Sequence, residues 1–350
     1  MPDTTDTPPV SMARMTDSRL IKSGMIPSEG NVDGFAVAEV NGRLLVVCVS
    51  RDDVWTWDPL RDEWVERPLA DLDNGSYGIP VYPDFHHIDV TVADGRVVFA
   101  AGGQHQGPGL WDVMSGELLN APPEFRSCVH ALALTSVGGR TTLVAGAAAP
   151  EVWVWDPSDP EVEAWGPTDD EFAEEQEPRE LPGHSDDMSG LVVGRLRGRH
   201  VVVSGGDTEV LLSDLESEEL LHKWSAGGLV HAVALSEVGG RPVVLAVTDS
   251  GEMRIWDAVG GEPVGHFPTG HTERVSALAA AVVGARTLAV TGSDDGTARV
   301  WDLAEGRQIG APMARHEGEV WAVAIAPLDG RHVVLTAGRG GIVRVWDPSV

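Results

Sequence analysis

Cysteine and lysine are both scarce in this chain. Cys48 and Cys128 are its only cysteines, too few for a disulfide framework, and Lys22 and Lys223 are its only lysines. The 54 acidic residues outnumber 25 basic ones, which gives a formal net charge of −29. Nucleic acids and anionic membranes are bound mainly through basic patches, so we predict neither as a partner. A basic protein partner suits the negative electrostatic field of this chain better, although the same acidity can simply keep a sheet-rich protein soluble.

Long apolar runs are absent as well. No stretch approaches the roughly 18 apolar residues of a membrane-spanning helix, and the first residues lack the apolar core of a secretory signal. These absences predict a cytoplasmic protein. The preference for Arg over Lys, with abundant Ala, Gly and Val, indicates a GC-rich bacterial genome. Among the few aromatic residues, 12 are Trp against 2 Tyr and 6 Phe, which indicates a repeated structural tryptophan.

A Trp-Asp dipeptide recurs along the chain every 43 to 58 residues, with Ser213-Asp214 as a degenerate copy. The six intact copies begin at Trp57, Trp111, Trp155, Trp256, Trp301 and Trp346. A second marker follows the same period: each unit has a tight turn, then Arg, then an apolar run. These arginines are Arg43, Arg96, Arg140, Arg199, Arg241, Arg286 and Arg331. The Asn-Gly, Asp-Gly and Gly-Gly turns predict a two-residue hairpin in each unit.

Together these markers resemble WD40 repeats, and the best unit reads GHTERVSALAAAVVGARTLAVTGSDDGTARVWD over residues 270–302. The resemblance implies an all-β fold, a seven-bladed β-propeller of four-stranded blades. It also implies a structural tetrad made of His271, Thr291, Asp295 and Trp301. In such a tetrad the buried polar groups satisfy one another, so we interpret these residues as structural and not as a catalytic site.

The two ends of the chain predict how the ring closes. The last Trp-Asp lies near Val350, which leaves no room for a fourth strand in the last blade, while residues 18–27 resemble the fourth strands of other units. We therefore expect the N-terminal segment to complete the last blade and close the ring, which removes an exposed sheet edge. Residues 17–350 then form a single propeller, and the Pro-, Thr- and Asp-rich residues 1–16 form a disordered tail.

Two connections are longer than their equivalents, and we place both between the fourth strand of one blade and the first strand of the next. One carries Tyr77 and Tyr82. The other is acidic and carries Asp169, Asp170, Glu171, Glu174 and Glu175. An acidic, aromatic rim predicts docking of a basic partner, whereas the alternative is a tolerated, solvated insertion.

The residue ten positions before each turn arginine is predicted to lie at the mouth of the central channel. This set includes Trp321, either a binding hot spot or a packing residue, and the histidines His86, His130 and His231. Histidines near one axis are weak candidates for a divalent metal, although solvated polar residues at a channel mouth explain them equally.

No enzyme signature or cofactor motif is present: the chain contains no P-loop, GxSxG, HExxH or CxxC. We expect a non-catalytic scaffold or adaptor without a cofactor that binds a protein partner through a loop-rich face, either as a monomeric propeller or as a subunit of a complex. The alternative is a propeller, enzymatic or not, that binds a small ligand or a metal at the channel mouth.

Overall fold

The computed structural model describes nine stretches of the chain. They are residues 19–28, 30–51, 53–70, 87–103, 108–120, 128–147, 152–156, 179–185 and 188–348. The predicted tail at residues 1–16 lies outside them. Within the described residues every regular element is a β-strand, and no helix is long and apolar enough to cross a membrane.

The strands form seven antiparallel sheets of four, one per blade, so the predicted seven-bladed propeller is confirmed. The first three blades consist of β2 (Gly34–Val40), β3 (Arg43–Ser50), β4 (Asp53–Asp58) and β5 (Glu63–Glu66); β6 (His87–Ala93), β7 (Arg96–Gly102), β8 (Gly109–Asp112) and β9 (Glu117–Asn120); and β10 (Val129–Val137), β11 (Arg140–Ala147), β12 (Val152–Trp155) and β13 (Arg179–Leu181).

The next three blades follow the same order. They consist of β14 (Met188–Leu196), β15 (Arg199–Gly206), β16 (Glu209–Asp214) and β17 (Leu220–Ser225); β18 (Val230–Val238), β19 (Arg241–Thr248), β20 (Glu252–Asp257) and β21 (Pro263–Pro268); and β22 (Val275–Val283), β23 (Arg286–Ser293), β24 (Ala298–Asp302) and β25 (Arg307–Met313).

Blade 7 is built from both ends of the chain, as predicted. It joins β26 (Val320–Leu328), β27 (Arg331–Gly338) and β28 (Ile342–Trp346) to β1 (Leu20–Met25), which pairs with β28 from Leu20↔Trp346 to Met25↔Ile342. Lys22 Nζ then reaches the next blade, donating to the carbonyl of Pro59 at 2.7 Å. The N-terminal strand therefore closes the ring and also contacts blade 1.

Each blade has two ends, which we name by their connections. The hairpin end carries the turns between first and second strands and between third and fourth strands. The loop end carries the second-to-third turns and the connections to the next blade. At the hairpin end, both residues of the turns Asn41-Gly42 and Asp94-Gly95 have positive φ. Such turns twist the flanking strands correctly for a hairpin, which confirms the predicted hairpins.

The aspartate of the Trp-Asp dipeptide organises the hairpin end. One carboxylate oxygen accepts backbone N–H groups two or three residues later; Asp257 Oδ1, for example, accepts from Val259 and Gly260 at 2.8 and 2.9 Å. The other oxygen faces the turn arginine of the same blade. These pairs are Arg140–Asp156 at 3.3 Å, Arg199–Asp214 at 3.3 Å, Arg241–Asp257 at 2.8 Å, Arg286–Asp302 at 3.8 Å and Arg331–Asp347 at 3.7 Å.

The core lies between neighbouring blades, where the tryptophan of the dipeptide meets the preceding fourth strand. Trp224 of blade 4 stacks on Trp256 of blade 5 with ring centroids 5.6 Å apart, and Phe267 of blade 5 packs on Trp301 of blade 6 at 5.2 Å. In the closing strand the equivalent contact uses glycine, since a Cβ on Gly24 would lie 2.7 Å from the ring of Trp57. The side chains of adjacent blades thus interlock around the ring.

Candidate functional site

The four residues of the predicted tetrad are joined in blade 6 by a chain of hydrogen bonds. His271 lies in the connection that precedes β22, and its Nδ1 is 2.9 Å from Asp295 Oδ2 while its Nε2 is 2.8 Å from Thr291 Oγ1. Trp301 Nε1 donates to the same Thr291 hydroxyl at 3.1 Å. Because the carboxylate can only accept, Nδ1 carries the proton and Nε2 accepts from threonine. The polar atoms therefore bond to one another, inside the blade.

The protonation states agree with a structural role for this network. Burial lowers the pKa of His271, although Asp295 opposes the shift, so the imidazole is neutral. Burial alone would raise the pKa of Asp295, but Thr297, the Thr272 N–H and His271 outweigh it and lower the value to about 2. With the His271 side chain fully buried and Thr291 equally inaccessible, no substrate can reach the pair.

Blade 7 carries a related chain with a different partner. His316 Nε2 is 3.1 Å from Thr336 Oγ1, and Trp346 Nε1 donates to that hydroxyl at 2.8 Å. Gly340 stands where the sequence pattern has aspartate, and Arg344 from β28 takes its place, with Nη1 3.2 Å from His316 Nδ1. A guanidinium can only donate, so Nδ1 accepts and the proton sits on Nε2. The histidines of blades 6 and 7 are therefore opposite tautomers.

Among the described residues of the remaining blades, this complete chain is not formed. In blade 4, His184 Nε2 contacts Ser204 Oγ at 2.9 Å, but Ser213 stands in place of tryptophan. In blade 1, Trp57 Nε1 donates to Asp62 at 3.3 Å and its ring stacks on Trp64. These blades depend on packing between sheets more than on a buried polar network.

Five of the predicted channel-mouth residues share one backbone feature. In five consecutive blades the inner strand is irregular at its second residue, where a β-bulge lets the chain leave the pairing register. The bulged residues are His130, Ser189, His231, Ser276 and Trp321. The Ser189 and Ser276 hydroxyls donate to the carbonyls of Val230 and Val320, the first inner-strand residues of the next blades. At these two positions the side chain ties neighbouring blades together.

The candidate histidines are only partly described. His86 lies outside the described residues, whereas His130 and His231 occupy bulges two blades apart and are partly buried. Burial and the positive charge of Arg274 lower the pKa of His231, while Asp249 and Asp294 oppose the shift. Across the described stretches no group of three or more His, Cys, Asp or Glu side chains is arranged to hold a metal ion. Metal binding by these histidines therefore gains no support from the described geometry.

Trp321 differs from the other bulged residues in size and bonding. It is partly buried in β26, and its indole N–H forms no hydrogen bond within the described part of the chain. Beside it at the loop end, Glu319 pairs with Arg339 at 3.2 Å, and Asp33 of blade 1 accepts the backbone N–H of Arg51 at 2.7 Å. A large amphipathic ring with a free donor therefore stands among charged groups where blades 7 and 1 meet.

The acidic connection is not where we predicted. It runs from β12 to β13, the third and fourth strands of blade 3, and therefore leaves the hairpin end. The interval from Trp-Asp to the next histidine spans two connections, and the extra length belongs to the first. Asp169, Asp170, Glu171, Glu174 and Glu175 themselves lie outside the described residues. The described ends of this connection, Asp156 and Arg179, lie at the hairpin end, whereas Trp321 lies at the loop end.

The other long connection does join a fourth strand to the next first strand, from β5 to β6. Its first residues pack against the outer edge of blade 2: Ala70 N donates to the Gly116 carbonyl at 2.8 Å, and Trp111 Nε1 donates to the Ala70 carbonyl at 2.9 Å. Tyr77 and Tyr82 lie outside the described residues, so their role at the loop end stays a prediction.

Comparison with known proteins supports the architecture. A family model described as "WD domain, G-beta repeat" matches residues 261–302 and 310–347, which contain the two blades with the histidine–threonine–tryptophan chain. Among solved structures, "Crystal structure of WD40 beta propeller domain of Doa1" is similar, with a TM-score of 0.67 and 13% identity over 94% of this chain and 96% of that one. At this identity the likeness shows the fold alone. No curated protein matches the sequence.

Proposed function

Because the chain carries WD40 repeats on a seven-bladed propeller, we propose that it is a non-catalytic interaction module that binds a protein partner at its loop end. Propellers with these repeats generally mediate protein–protein contacts. The hydrogen-bond networks of blades 6 and 7 fit this role, because their titratable side chains form hydrogen bonds to other residues of the same blade. His271 and His316, the histidines in the two matched repeats, are neutral, largely shielded from solvent and hydrogen-bonded to threonine.

Trp321 is the observation that carries the proposal. Tryptophan is enriched among residues that dominate binding energy, because it combines a large apolar surface with a hydrogen-bond donor. The equivalent bulged serines, Ser189 and Ser276, use their hydroxyls to bond the next blade. Trp321 forms no such bond, so its donor remains available to a partner.

The charges near Trp321 favour a partner with a basic surface. Glu319 and Arg339 neutralise each other, whereas within the described part of the chain the Asp33 carboxylate accepts only the backbone N–H of Arg51. Glu317 lies two residues before Glu319 and adds a further negative charge. The formal net charge of −29 adds a long-range attraction for positive partners, which speeds association. We further propose a cytoplasmic location, which suits a chain whose two cysteines are not disulfide-bonded.

The test compares Trp321→Ala with Leu229→Ala, a matched control at the loop end of blade 5, where Leu229 is 48% exposed. Both proteins, together with wild type, serve as bait in affinity purification from native-host extract. We expect the principal bound protein to be lost with Trp321→Ala only, while all three baits melt at the same temperature. Equal recovery by wild type and Trp321→Ala would rule out Trp321 as the anchor.

A further inference from the structure

A surface pocket of about 400 Å³ lies at the hairpin end of the propeller, where blades 1 and 2 meet. Its walls are mostly apolar: Val40, Leu44 and Leu45 belong to the first hairpin of blade 1, and Met114 belongs to the third-to-fourth turn of blade 2. Arg43 of the same hairpin also lines the pocket. Ligand pockets begin at roughly 300 Å³, so this one can admit a large apolar side chain. It faces away from the loop end, and the function proposed above does not use it.

The turn that carries Met114 is fixed in place before any ligand arrives. Met114 N donates to Asp112 Oδ1 at 2.9 Å, and Arg67 of blade 1 donates from Nη1 to the Met114 carbonyl at 3.3 Å. Gly116 closes the turn with a φ of +76°, and a Cβ there would lie 2.1 Å from the carbonyl oxygen of Pro68. Blade 1 therefore holds the blade 2 wall of the pocket through backbone contacts, so the pocket is preformed.

Arg43, the turn arginine of blade 1, does not form the ion pair that its equivalents form. In five other blades this arginine faces the carboxylate of the Trp-Asp dipeptide. In blade 1 that carboxylate, Asp58, accepts the N–H groups of Leu60 and Arg61 through Oδ1, and Arg61 Nε lies 3.8 Å from its Oδ2. Arg43 is exposed, and its guanidinium forms no hydrogen bond or ion pair within the described stretches. A solvated cation beside an apolar pocket is therefore available to an external carboxylate.

Exposed apolar side chains extend this surface beyond the pocket. Leu60 is 52% exposed and Met114 is 44% exposed, and each lies two residues after the aspartate of its Trp-Asp dipeptide. The same position in blades 4, 5 and 6 carries Glu216, Val259 and Ala304, none of which is a large, exposed apolar residue. Exposed apolar groups at the hairpin end of blades 1 and 2 are thus a local feature, as expected of a binding surface.

We propose that this pocket binds the C-terminal residue of a protein partner, with a large apolar side chain between Leu45 and Met114 and the α-carboxylate on Arg43. A C-terminal residue presents both groups from one Cα, which matches a guanidinium and an apolar wall that come from neighbouring residues of one hairpin. Arginine can also bind both oxygens of a carboxylate. A run of acidic residues fits less well, because the net charge of −29 repels it, whereas a C-terminus adds one negative charge. The proposal does not depend on binding at the loop end.

The experiment titrates short peptides into the full-length protein labelled with carbon-13 at its methionine methyl groups. The probe is acetyl-Gly-Ser-Gly-Leu with a free C-terminal carboxylate. Three control peptides end in leucinamide, end in alanine, or carry an internal aspartate before a C-terminal leucinamide.

The NMR signal of Met114, identified by its loss in Met114→Leu, reports on the pocket, and Met25 of β1, which is 66% exposed, reports on non-specific contact. The protein variants are Arg43→Gln and the matched control Arg195→Gln. Arg195 is also an exposed arginine at the hairpin end that forms no ion pair within the described part of the chain. Thermal melting verifies that both variants are folded.

We expect the leucine peptide to shift the Met114 signal saturably in wild type and in Arg195→Gln, without moving that of Met25. Loss of the charged contact should weaken binding about tenfold, both in Arg43→Gln and with the leucinamide peptide. In Arg43→Gln the acid and the amide should bind equally, since the carboxylate no longer has its partner. The alanine peptide should bind more weakly than the leucine peptide.

The inference is overturned if wild type shows no saturable Met114 shift, if wild type binds acid and amide equally, or if the internal aspartate binds as tightly as the C-terminal carboxylate. The proposed function fails by a different result, unchanged partner recovery with Trp321→Ala.

Discussion

Arg241 Nη2 lies 2.8 Å from Asp257 Oδ2, and this contact joins the two sequence markers of the repeat. The arginine begins the second strand of blade 5 and the aspartate ends its third strand, so both reach the hairpin end side by side. The two markers recur with the same spacing because each pair belongs to one blade. Blades 1 and 2 are exceptions among the described residues, since Asp58 contacts Arg61 of its own turn at 3.8 Å and Arg96 pairs with Glu117 at 3.3 Å.

The first prediction concerns acid. The N–H groups of Gly260 and Val259, together with Arg241, lower the pKa of Asp257 to about 2, below the usual value of about 3.9. A lowered pKa stabilises the fold above the unfolded-state value, and this contribution is lost as pH falls toward 2. Asp257→Asn should therefore be less stable than wild type at pH 6, with a smaller difference at pH 2.5. Urea unfolding at both pH values measures this, and an undiminished difference at pH 2.5 would contradict the assignment.

The second prediction concerns the blade 6 network. Thr291→Val keeps the shape of the side chain but leaves His271 Nε2 and Trp301 Nε1 without their shared partner. We expect a loss of about 1–3 kcal/mol in the free energy of unfolding, the usual cost of unsatisfied buried groups. Thr248→Val is the control, because its hydroxyl bonds only Ser250 in the described contacts. Equal losses for the two variants would mean that the network adds no specific stability.

The third prediction tests the arginine that replaces aspartate in blade 7. Arg344→Met removes the donor to His316 Nδ1 and should lower the free energy of unfolding by about 1–3 kcal/mol. Arg254 occupies the same position before the tryptophan of blade 5, but it pairs with Glu252 at 3.1 Å and has no histidine partner. Arg254→Met is thus a matched control with a smaller expected effect. Chemical denaturation ranks the two, and the reverse order would refute the role assigned to Arg344.

The fourth prediction concerns ring closure. Deleting residues 1–27 removes β1 and exposes the edge of β28, so we expect the melting temperature to fall by about 10 °C or more, at roughly 2–4 °C per kcal/mol. Deleting residues 1–15 leaves β1 intact and should not change it. Calorimetry of the two truncated proteins decides the matter, and identical melting would show that β1 is dispensable.

Gly24 provides a second test of ring closure, at the contact between β1 and Trp57 of blade 1. A Cβ there would lie 2.7 Å from two carbons of Trp57, so Gly24→Ala should lower the melting temperature without removing the strand. Ser23→Ala, at the neighbouring position of β1, is the control and should melt like wild type.

Periodic features were predictable from sequence, and single substitutions were not. The Trp-Asp rhythm identified the seven blades, and the resemblance of residues 18–27 to other fourth strands identified the closing strand. The acidic connection was misplaced because its length was measured across two connections at once. Leu181-Pro-Gly-His184 resembles Phe267-Pro-Thr-Gly-His271, and that similarity would have placed the fourth strand directly before the histidine.

Arg344 shows a different limit. The sequence pattern indicated only that glycine replaces aspartate at position 340. It did not indicate Arg344, because this residue lies at a different position of the repeat and donates a hydrogen bond to the histidine, whereas aspartate would accept one. The hydrogen bond from the Leu134 N–H to the Asp89 carboxylate was missed for a similar reason, since it joins two blades 45 residues apart in the chain. Contacts between units do not repeat with the period of the units.

The pairing of β1 with β28 also has a consequence for folding during synthesis. Leu20 leaves the ribosome early, whereas its partner Trp346 is made more than 300 residues later. Until then Ile26, Gly24 and the covered ring of Trp57 lack their final packing, and an unpaired strand edge invites other chains to add to it. The ring is therefore most vulnerable to aggregation just before its last strand emerges.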